Sequence, residues 1–543
     1  MATISNYTNE KILQENQDFS RLRSIIETSF YGNNVIKVNS LKEAYNLAIE
    51  APGTIITDQK IKDAEKYGLS EDSKLLLFND GRILERKGNL RREYSDEKLS
   101  KEEYEAEVRE LIFQERFNTY YHASVYIGTH REFMVKAHLL IPQGWEGILY
   151  NWMLNFQEIN EETKELYENS VRFKDEGDIF ILALPHIKPE NFPDGLTLFD
   201  GEGNGGVIAG VNFFAEYKKG TLSLAWAIAE RNNFIPFHGG QKKYYLDKGK
   251  TSTALFVGLT GAGKSVLLKH KHKNKLEEEL LHDDALIISL NNGRGISMET
   301  SYFDKTNDGK SSEEMIEYAL SAQNQGVTID QNNRKIIVTE DLRNDNGRVI
   351  LAQEAHKNRV LSMDTPPNII FWLMKDPVLP PVLKILSAEL SAAFGGTLSN
   401  IKIKKTDSDL IKETEPLVIQ PFGNPFRTYP GEKDYYAIKK LIIERNIETY
   451  ILNTGFFMGT EIPKEVSLRI LDNIIAGEGQ FSSWNDFSQV EIMEIKGYNA
   501  DFSDLKYKNY FMARIQERIN FLTKEVYPEE AIQALKDLLG EIG

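Results

Sequence analysis

Residues 253–268, with the sequence TALFVGLTGAGKSVLL, constrain this chain more than any other stretch. An apolar run from Thr253 to Val257 leads into a loop of the form G-x-x-x-x-G-K-[ST], and a helix-compatible run follows. Glycines in such a loop let backbone N–H groups turn inward and approach phosphate oxygens closely. The motif and its flanks therefore predict a nucleoside triphosphate site with a divalent metal.

Two polar residues at the end of this loop carry the predicted chemistry. Lys264 is expected to reach the β- and γ-phosphates, and the Ser265 hydroxyl is expected to hold the metal. The alternative is a glycine-rich turn with a lysine present by chance. The loop does not identify what receives the phosphoryl group. The predicted nucleotide-binding residues of the loop are Gly258, Leu259, Thr260, Gly261, Ala262, Gly263, Lys264, Ser265 and Val266.

Composition narrows the classes of partner and of site. The chain has 543 residues, enough for two or three domains, and a formal net charge of −16, which disfavours nucleic acid and anionic membranes as partners. It has no cysteine, so disulfides, thiolate metal sites and cysteine nucleophiles are excluded, and a metal needs His, carboxylate, hydroxyl or water ligands. The N-terminus has no apolar leader segment, and no stretch approaches 18 apolar residues, so we expect a soluble cytoplasmic protein.

An acidic pair follows the loop by about twenty residues. Asp283 and Asp284 precede an apolar run, and this position favours a second metal-organising element. A turn with exposed aspartates is the alternative. In the segment KHKHK, His270 and His272 are predicted to lie on different faces of a helix over 266–281 and to be exposed.

A basic segment lies far upstream, between residues 82 and 97. It contains Arg82, which directly follows the turn Asn79-Asp80-Gly81 and is the arginine that we expect to reach an anionic substrate. The alternative is a solvated basic face with no ligand.

Several further segments, taken in order, resemble the ATP-dependent phosphoenolpyruvate carboxykinases. The loop GLTGAGKS resembles that family's kinase motif GLSGTGKT, and the order and approximate spacing hold from about residue 75 to about residue 480. No segment except the loop is specific alone, and the joint order carries the resemblance. The other segments are Tyr217-Lys218-Lys219-Gly220, His238, His282-Asp283-Asp284, Leu379-Pro380-Pro381-Val382, Pro421 to Phe426, and Tyr450 to Gly455 followed by Gly459-Thr460.

The resemblance implies a two-domain α/β fold with the active site in the cleft between the domains. The expected domains are 1–240, an N-terminal α/β domain on the substrate side, and 241–543, a C-terminal nucleotide-binding domain that contains the phosphate loop. The implied cofactors are ATP, Mg²⁺ and Mn²⁺, and the implied partners are a nucleotide and a small anionic substrate.

The same resemblance implies a role for each matching position. Lys264 would stabilise the transferring γ-phosphoryl group, and Arg82 would hold the substrate carboxylate. The segment Gly459–Ser467 would line the adenine pocket, which makes Ser467 a nucleotide contact. The implied metal ligands are Lys219, His238 and Asp284 for Mn²⁺ and Ser265 for Mg²⁺.

The sequence departs from the family pattern on the substrate side. The family's R-S-P-K-D-K signature is absent, and Lys384 stands where the family has an arginine after L-P-P-V. Lysine keeps the charge but loses the planar two-pronged geometry of arginine. If the family's substrate is still bound, Lys384→Arg is expected to raise carboxykinase activity. Phe213 replaces a tyrosine, and Gly395 to Ser399 replaces G-T-E-R-G.

Three functions remain open at this point. The first is a divergent ATP-dependent phosphoenolpyruvate carboxykinase, which converts oxaloacetate and ATP to phosphoenolpyruvate, CO2 and ADP. The second is a kinase of the same fold that acts on another small substrate. The third is a non-catalytic nucleotide-binding regulator.

Overall fold

The chain forms two compact units, each built from segments that are not continuous in sequence. The computed structural model describes residues 20–79, 91–96, 98–173, 176–259, 261–272, 276–306, 312–338, 340, 346–401 and 416–542. The first unit comprises Met1–Asn232 and Met298–Lys357, and the second comprises Asn233–Ser297 and Asn358–Gly543. The division therefore falls near the predicted boundary at residue 240, but Met298–Lys357 belongs to the first unit. No helix within the described ranges combines the length and the apolar character needed to cross a membrane.

Helices occur along the whole described chain. They are α1 (Arg21–Thr28), α2 (Leu41–Glu50), α3 (Lys101–Glu115), α4 (Glu146–Asn155), α5 (Glu161–Glu168), α6 (Phe214–Arg231), α7 (Lys264–Leu268), α8 (Ser312–Glu317), α9 (Ala388–Gly396), α10 (Gly431–Arg445), α11 (Lys464–Ile475), α12 (Leu505–Lys524) and α13 (Glu529–Gly540).

Strands alternate with these helices, so the fold is mixed α/β. They are β1 (Val35–Val38), β2 (Ile55–Lys60), β3 (Lys74–Phe78), β4 (Arg91–Glu93), β5 (Tyr120–His130), β6 (Phe133–Pro142), β7 (Gln157–Glu158), β8 (Ile179–Leu184), β9 (Leu196–Asp200), β10 (Gly205–Ala209), β11 (Phe234–Phe237), β12 (Gly239–Tyr245), β13 (Thr251–Gly258), β14 (Glu277–His282), β15 (Leu286–Ser289), β16 (Gly295–Ser297), β17 (Tyr302–Lys305), β18 (Ala319–Gln323), β19 (Gly326–Ile329), β20 (Lys335–Val338), β21 (Arg348–Leu351), β22 (Ser362–Met363), β23 (Ile369–Met374), β24 (Val382–Ile385), β25 (Ser399–Asn400), β26 (Val418–Ile419), β27 (Glu448–Asn453), β28 (Phe456–Phe457), β29 (Thr460–Glu461), β30 (Ser482–Ser483) and β31 (Val490–Ile492).

The first unit contains two larger sheets and a hairpin. One sheet has the order β1-β5-β6-β8-β10-β9-β4, with β7 paired to β5, and the other has the order β17-β21-β18-β3-β2. The second sheet combines β2 and β3 with three strands from Met298–Lys357, which explains why that segment belongs to this unit. Helix α6 is almost completely buried from Phe214 to Ala229.

The second unit is built on a mixed sheet with the order β14-β12-β13-β23-β27-β24-β31-β30. Strands β13, β23 and β27 are parallel, while β12, β14, β24, β31 and β30 pair in antiparallel fashion. A smaller sheet has the order β11-β15-β16-β22. Because the three central strands run in one direction, their carboxyl ends meet at one edge of the sheet, where α/β proteins commonly bind ligands.

Several elements form where local sequence signals favour them. Ser40 caps α2 by accepting a hydrogen bond from the Glu43 backbone N–H at 3.2 Å. Ser100 and Glu103 form a reciprocal capping box at the start of α3. Apolar and polar residues alternate over residues 119–141, and this segment folds as the antiparallel pair β5 and β6.

The helix predicted over 266–281 is wrong. Helix α7 ends at Leu268, and the chain re-enters the sheet as β14 at Glu277. Lys242 of β12 explains the early end, because its Nζ donates to the backbone carbonyls of Leu268 at 2.9 Å and His270 at 2.8 Å. Terminal helix carbonyls need such partners.

The prediction that His270 and His272 are exposed and face apart is also wrong. His270 is half-buried, His272 is buried, and both rings contact Asp472 of α11. Burial lowers the pKa of His272 to about 4, so its ring is neutral near pH 7.

Candidate active site

The loop after β13 has the strand–loop–helix geometry that its sequence predicts. Strand β13 ends at Gly258, the Ala262 N–H donates to the Leu259 carbonyl at 3.0 Å, and α7 begins at Lys264. Gly261 and Gly263 have φ values of +85° and +84°, a region that favours glycine. We call residues 258–265 the glycine loop. Thr260 lies outside the described residues.

The side chains of the glycine loop differ in exposure. Lys264 is buried, Ser265 is half-buried, and Val266 is 41% exposed. A Cβ placed on Gly261 would meet no atom within 4 Å, so the loop is open on that side. The backbone there is accessible to a ligand, and the Lys264 side chain is 9% exposed.

Thr454 connects the glycine loop to the end of β27. Its Oγ1 donates to the Ala262 carbonyl at 2.8 Å, and its backbone N–H donates to the Met374 carbonyl at 3.0 Å. Asn453 supports the same edge by donating to the carbonyls of Asp376 and Leu379 at 2.8 and 2.6 Å. The N-T-G stretch therefore fixes the loop relative to β23 and β27.

Replacing Thr454 with valine is expected to weaken ATP binding about fivefold to tenfold. The change keeps the shape but removes one hydrogen bond that holds the loop, worth about 1 kcal/mol. The dissociation constant for ATP from calorimetry measures the effect. Thr523→Val is a matched control, since its Oγ1 donates at 2.8 Å to a carbonyl inside its own helix. Equal affinity in the two variants would contradict the positioning role.

His238 and Asp284 form a close pair at the junction of β11 and β12. His238 Nε2 lies 2.9 Å from Asp284 Oδ1, and His238 Nδ1 lies 2.6 Å from the Gly423 carbonyl oxygen. A carbonyl can only accept, so Nδ1 carries a proton, and in a neutral ring Nε2 is then an acceptor that faces a carboxylate acceptor. Two acceptors this close need a second proton or a cation between them. The imidazole and carboxylate ligands suit Mn²⁺ or a similar divalent metal.

Gly423 brings the glycine loop and the His238–Asp284 pair together. Its φ is +62°, and a Cβ there would lie 2.8 Å from the carbonyl carbon of Gly258, so the close approach requires glycine. The same residue accepts the hydrogen bond from His238. One backbone position therefore touches both halves of the predicted site. The resemblance of the segment Pro421 to Phe426 included this glycine but did not indicate these contacts.

Two further polar residues were missed at the carboxyl end of β23. Burial lowers the pKa of Lys375, and Asp376 is fully buried against Arg518 of α12, with Oδ2 and Nη2 2.7 Å apart. The available signal was their place at the end of an apolar strand next to the loop strand, where ligands of α/β sheets bind.

Lys219 belongs to the first unit, where it is buried on α6. Its backbone carbonyl accepts from Ser223 Oγ at 2.7 Å, and Arg91 of β4 donates to the same hydroxyl. One arginine of the basic segment thus lies beside the helix that carries Lys219. The neighbouring Lys218 pairs with buried Glu299 at 2.8 Å. Arg82 lies outside the described residues, so its role stays a prediction.

The structure does not bring Lys384 to the glycine loop. Lys384 lies on β24, and its Nζ pairs with Glu448 Oε1 at 2.7 Å. Glu448 begins β27, and at roughly 3.3 Å per residue it lies about 17 Å from Asn453 at the loop end. The ion pair with Glu448 does not support a catalytic role for Lys384, which stays a prediction. Ser467 is buried on α11, and its adenine contact stays a prediction.

Replacing Lys384 with arginine is therefore expected to leave turnover unchanged within about twofold, contrary to the expectation from the family pattern. The side chain reaches the opposite end of β27, where an exposed ion pair contributes little to stability. Steady-state rates of the native chain and of Lys384→Arg and Lys384→Met test this. A rise in the arginine variant with a loss in the methionine variant would contradict it.

Comparison with known proteins adds an independent finding. The family model described as "Phosphoenolpyruvate carboxykinase" matches residues 85–496. "Phosphoenolpyruvate carboxykinase (ATP)" of Aeropyrum pernix is 23% identical over 300 residues, covering 53% of this chain and 60% of the relative. The proteins of that name from Staphylococcus aureus and Staphylococcus haemolyticus are each 24% identical, over 375 and 373 residues, with 65% of both chains covered. The chain thus spans 60% to 65% of the length of these relatives.

Proposed function

Since this chain belongs to the phosphoenolpyruvate carboxykinase family, we propose that it transfers the γ-phosphoryl group of ATP, with oxaloacetate as the substrate. The observation that carries the proposal is the contact of Gly423 with both Gly258 and His238. The contact supports the proposal because the glycine loop and the His238–Asp284 pair then lie close together in one compact unit. The products are phosphoenolpyruvate, CO2 and ADP.

The glycine loop supplies the phosphate contacts in this proposal. Phosphoryl transfer depends on in-line positioning and on neutralising charge rather than on covalent chemistry by the protein. The backbone on the open side of Gly261 cradles the phosphates, and Lys264 stabilises the charge that develops on the γ-phosphoryl oxygens. Thr454 keeps the loop in place through its bond to Ala262.

His238 and Asp284 are the groups of the second unit that fit a divalent metal, and Ser265 is the hydroxyl that fits a nucleotide-bound Mg²⁺. When bound, these metals neutralise phosphoryl and enolate oxygens as Lewis acids. Gly423 fixes the tautomer of His238, so that its Nε2 lone pair is directed to Asp284. Lys219 stays a proposed third ligand, since the family resemblance implies it.

The bond changes balance without an external oxidant or reductant. The bond between the leaving carboxylate and the methylene carbon breaks, and CO2 departs. The electron pair of the broken bond stays on the remaining fragment and forms the enolate. The enolate oxygen then attacks the γ-phosphorus, and the bond from that phosphorus to the β-phosphate oxygen breaks to release ADP. Excluding water protects both the enolate and the γ-phosphate.

A second candidate is a kinase of the same fold with another small acceptor. The position of Lys384 favours it, because the residue that replaces the family's arginine pairs with Glu448 away from the glycine loop. The altered substrate-side motifs point the same way. The loss of substrate contacts with retention of the loop and the metal pair is the pattern expected of a changed acceptor.

A coupled assay separates these two candidates. Purified protein is incubated with ATP, Mg²⁺, Mn²⁺ and oxaloacetate, while phosphoenolpyruvate and ADP are followed separately. The carboxykinase proposal predicts equal amounts of both products and no phosphoenolpyruvate without protein or without ATP. Tight ATP binding with neither product would refute it, and ADP release would then be screened against other small anionic and hydroxyl compounds.

A further inference from the structure

Three side chains in the second unit converge on one point outside the proposed active site. His270 Nε2 lies 2.9 Å from Asp472 Oδ1, and His272 Nδ1 lies 2.6 Å from the same oxygen. The three ligand atoms all lie within 4.8 Å of one another. Among the residues that the structure describes, this is the one group of three or more such side chains close enough to share a metal ion.

The cluster is built into the fold and is not a chance meeting of surface groups. His272 is 6% exposed, and its ring packs edge-on against the buried Tyr244 with centroids 4.7 Å apart. The rings of His270 and His272 lie 4.7 Å apart. Asp472 projects from α11, whose apolar face is buried around Ile470 and Leu471. Packing therefore holds in place the His272 ring and the helix that carries Asp472.

One nitrogen of the cluster is not satisfied by hydrogen bonding. Within the described ranges, His272 Nε2 is buried and makes no hydrogen bond. A buried ring nitrogen without a partner costs free energy, so hydrogen bonds do not fully explain why this ring is buried here.

We infer that His270, His272 and Asp472 form a site for a divalent transition metal such as Zn²⁺. Two imidazoles and one carboxylate leave at least one position open to water, a ligand set found in zinc sites and in other two-histidine, one-carboxylate sites. Ligand atoms around a tetrahedral Zn²⁺ lie about 3.3 Å apart, given Zn–N distances of about 2.0–2.1 Å. The observed separations of 2.6 and 2.9 Å therefore need only a small outward movement of the side chains.

Charged groups of both signs lie near the cluster. Lys269 and Lys271 flank His270 in the sequence, and the Lys242 ammonium donates to the His270 carbonyl at 2.8 Å. Lys242 and Lys269 are paired with the carboxylates of Glu278 at 2.6 Å and Asp283 at 3.9 Å. Asp472 supplies the negative charge of the proposed ligand set.

The place of the cluster in the fold gives the metal a structural role. His270 and His272 directly follow α7, the helix that leaves the glycine loop, and Asp472 lies on α11. The ion would join two elements that are distant in sequence, since His270 and Asp472 are separated by 202 residues. A metal that binds the folded chain raises its stability in proportion to the binding free energy.

Metal titration of the full chain tests the site. The protein is stripped with a chelator and titrated with Co²⁺ alone, which reports a low-symmetry nitrogen and oxygen site by visible absorption, and then with Zn²⁺ alone. All chains carry His238→Gln, so that the His238–Asp284 pair does not contribute. We expect one equivalent to bind and the melting temperature to rise with Zn²⁺ and fall again with chelator.

Variants of the cluster and a matched control decide the outcome. His270→Gln and Asp472→Asn each remove a proposed metal ligand. Removing a residue that only orients a ligand costs roughly 10–100-fold in metal affinity, so these two variants are expected to lose more than that. His186→Gln is the control, because His186 pairs with Glu115 at 2.7 Å and belongs to no group of three. His270→Gln retains a polar side chain at a half-buried position, and its metal-free melting temperature shows whether it folds.

Two results would overturn the inference. Equal affinity for Co²⁺ in the cluster variants and in His186→Gln would show that the ion binds elsewhere. Binding without the visible absorption of a ligated Co²⁺ would show an adventitious metal only. The same conclusion would follow if Zn²⁺ did not raise the melting temperature of the chain that keeps the native cluster.

Discussion

Lys264→Ala is expected to lower turnover about 1000-fold or more while the chain remains folded. The amine is the one cation of the glycine loop, and a charge aimed at a transferring phosphoryl group is worth several powers of ten in rate. Lys264 is 9% exposed, so the charge acts in a site with little water, where electrostatic stabilisation is strong. Turnover is measured as ADP release in the oxaloacetate assay, and folding by the melting temperature.

The control for this variant is another lysine of the same unit. Lys243→Ala removes a lysine of β12 that pairs loosely with Glu279 at 3.8 Å, and it is expected to keep full turnover. Because Lys264 is buried at the start of α7, its truncation is also expected to lower the melting temperature, and the assay is run below the melting temperature of the variant. Turnover of Lys264→Ala within tenfold of the native rate would remove the basis for a phosphate-binding loop.

The loop and its strand could be predicted because their signals are contiguous. The apolar run of β13, the glycines with positive φ and the lysine at the start of α7 lie within about a dozen residues. Backbone geometry and phosphate chemistry restrict each of those positions separately. The same holds for the capped helices α2 and α3, whose start signals lie within four residues of each helix.

Lys384 shows where local signals fail. The sequence VLKILSAEL has the apolar content of a helix, but residues 382–385 pair with both β27 and β31. Pairing in the interior of a sheet outweighs a weak helical preference. The family pattern compares sequence positions only, so it could not reveal that the Lys384 side chain pairs with Glu448.

The remaining features depend on residues distant in sequence. Gly423 contacts Gly258 across the fold, and His238 meets Gly423 at a separation of 185 residues. The sequence predicts a helix for the segment that contains His270 and His272. In the structure the helix ends at Leu268, whose carbonyl accepts from the Lys242 ammonium. Such contacts follow from the packing of the whole unit, which a single sequence does not encode in any local pattern.

Breaking the buried pair of Asp376 and Arg518 is expected to have the largest effect on stability. Both side chains are fully buried, and Arg518 also donates to Thr397 Oγ1 at 3.1 Å and Ser399 Oγ at 2.9 Å. Removal of one partner leaves an uncompensated charge in the interior, so Asp376→Ala is expected to destabilise the second unit by about 3–5 kcal/mol. Urea unfolding and hydrogen exchange in β23 and α12 measure the loss.

A double variant separates the ion pair from simple packing. Asp376→Ala combined with Arg518→Met removes both charges, so it is expected to cost less than the two single changes added together. An exposed pair provides the control: Lys440 and Glu444 lie 3.9 Å apart on α10, and Glu444→Gln is expected to cost no more than about 0.5 kcal/mol. Because Asp376 follows β23 beside the glycine loop, its loss is also expected to raise KM for ATP. A single-variant cost near that of the exposed pair, with additive effects in the double variant, would show that the buried pair does not hold this edge of the sheet together.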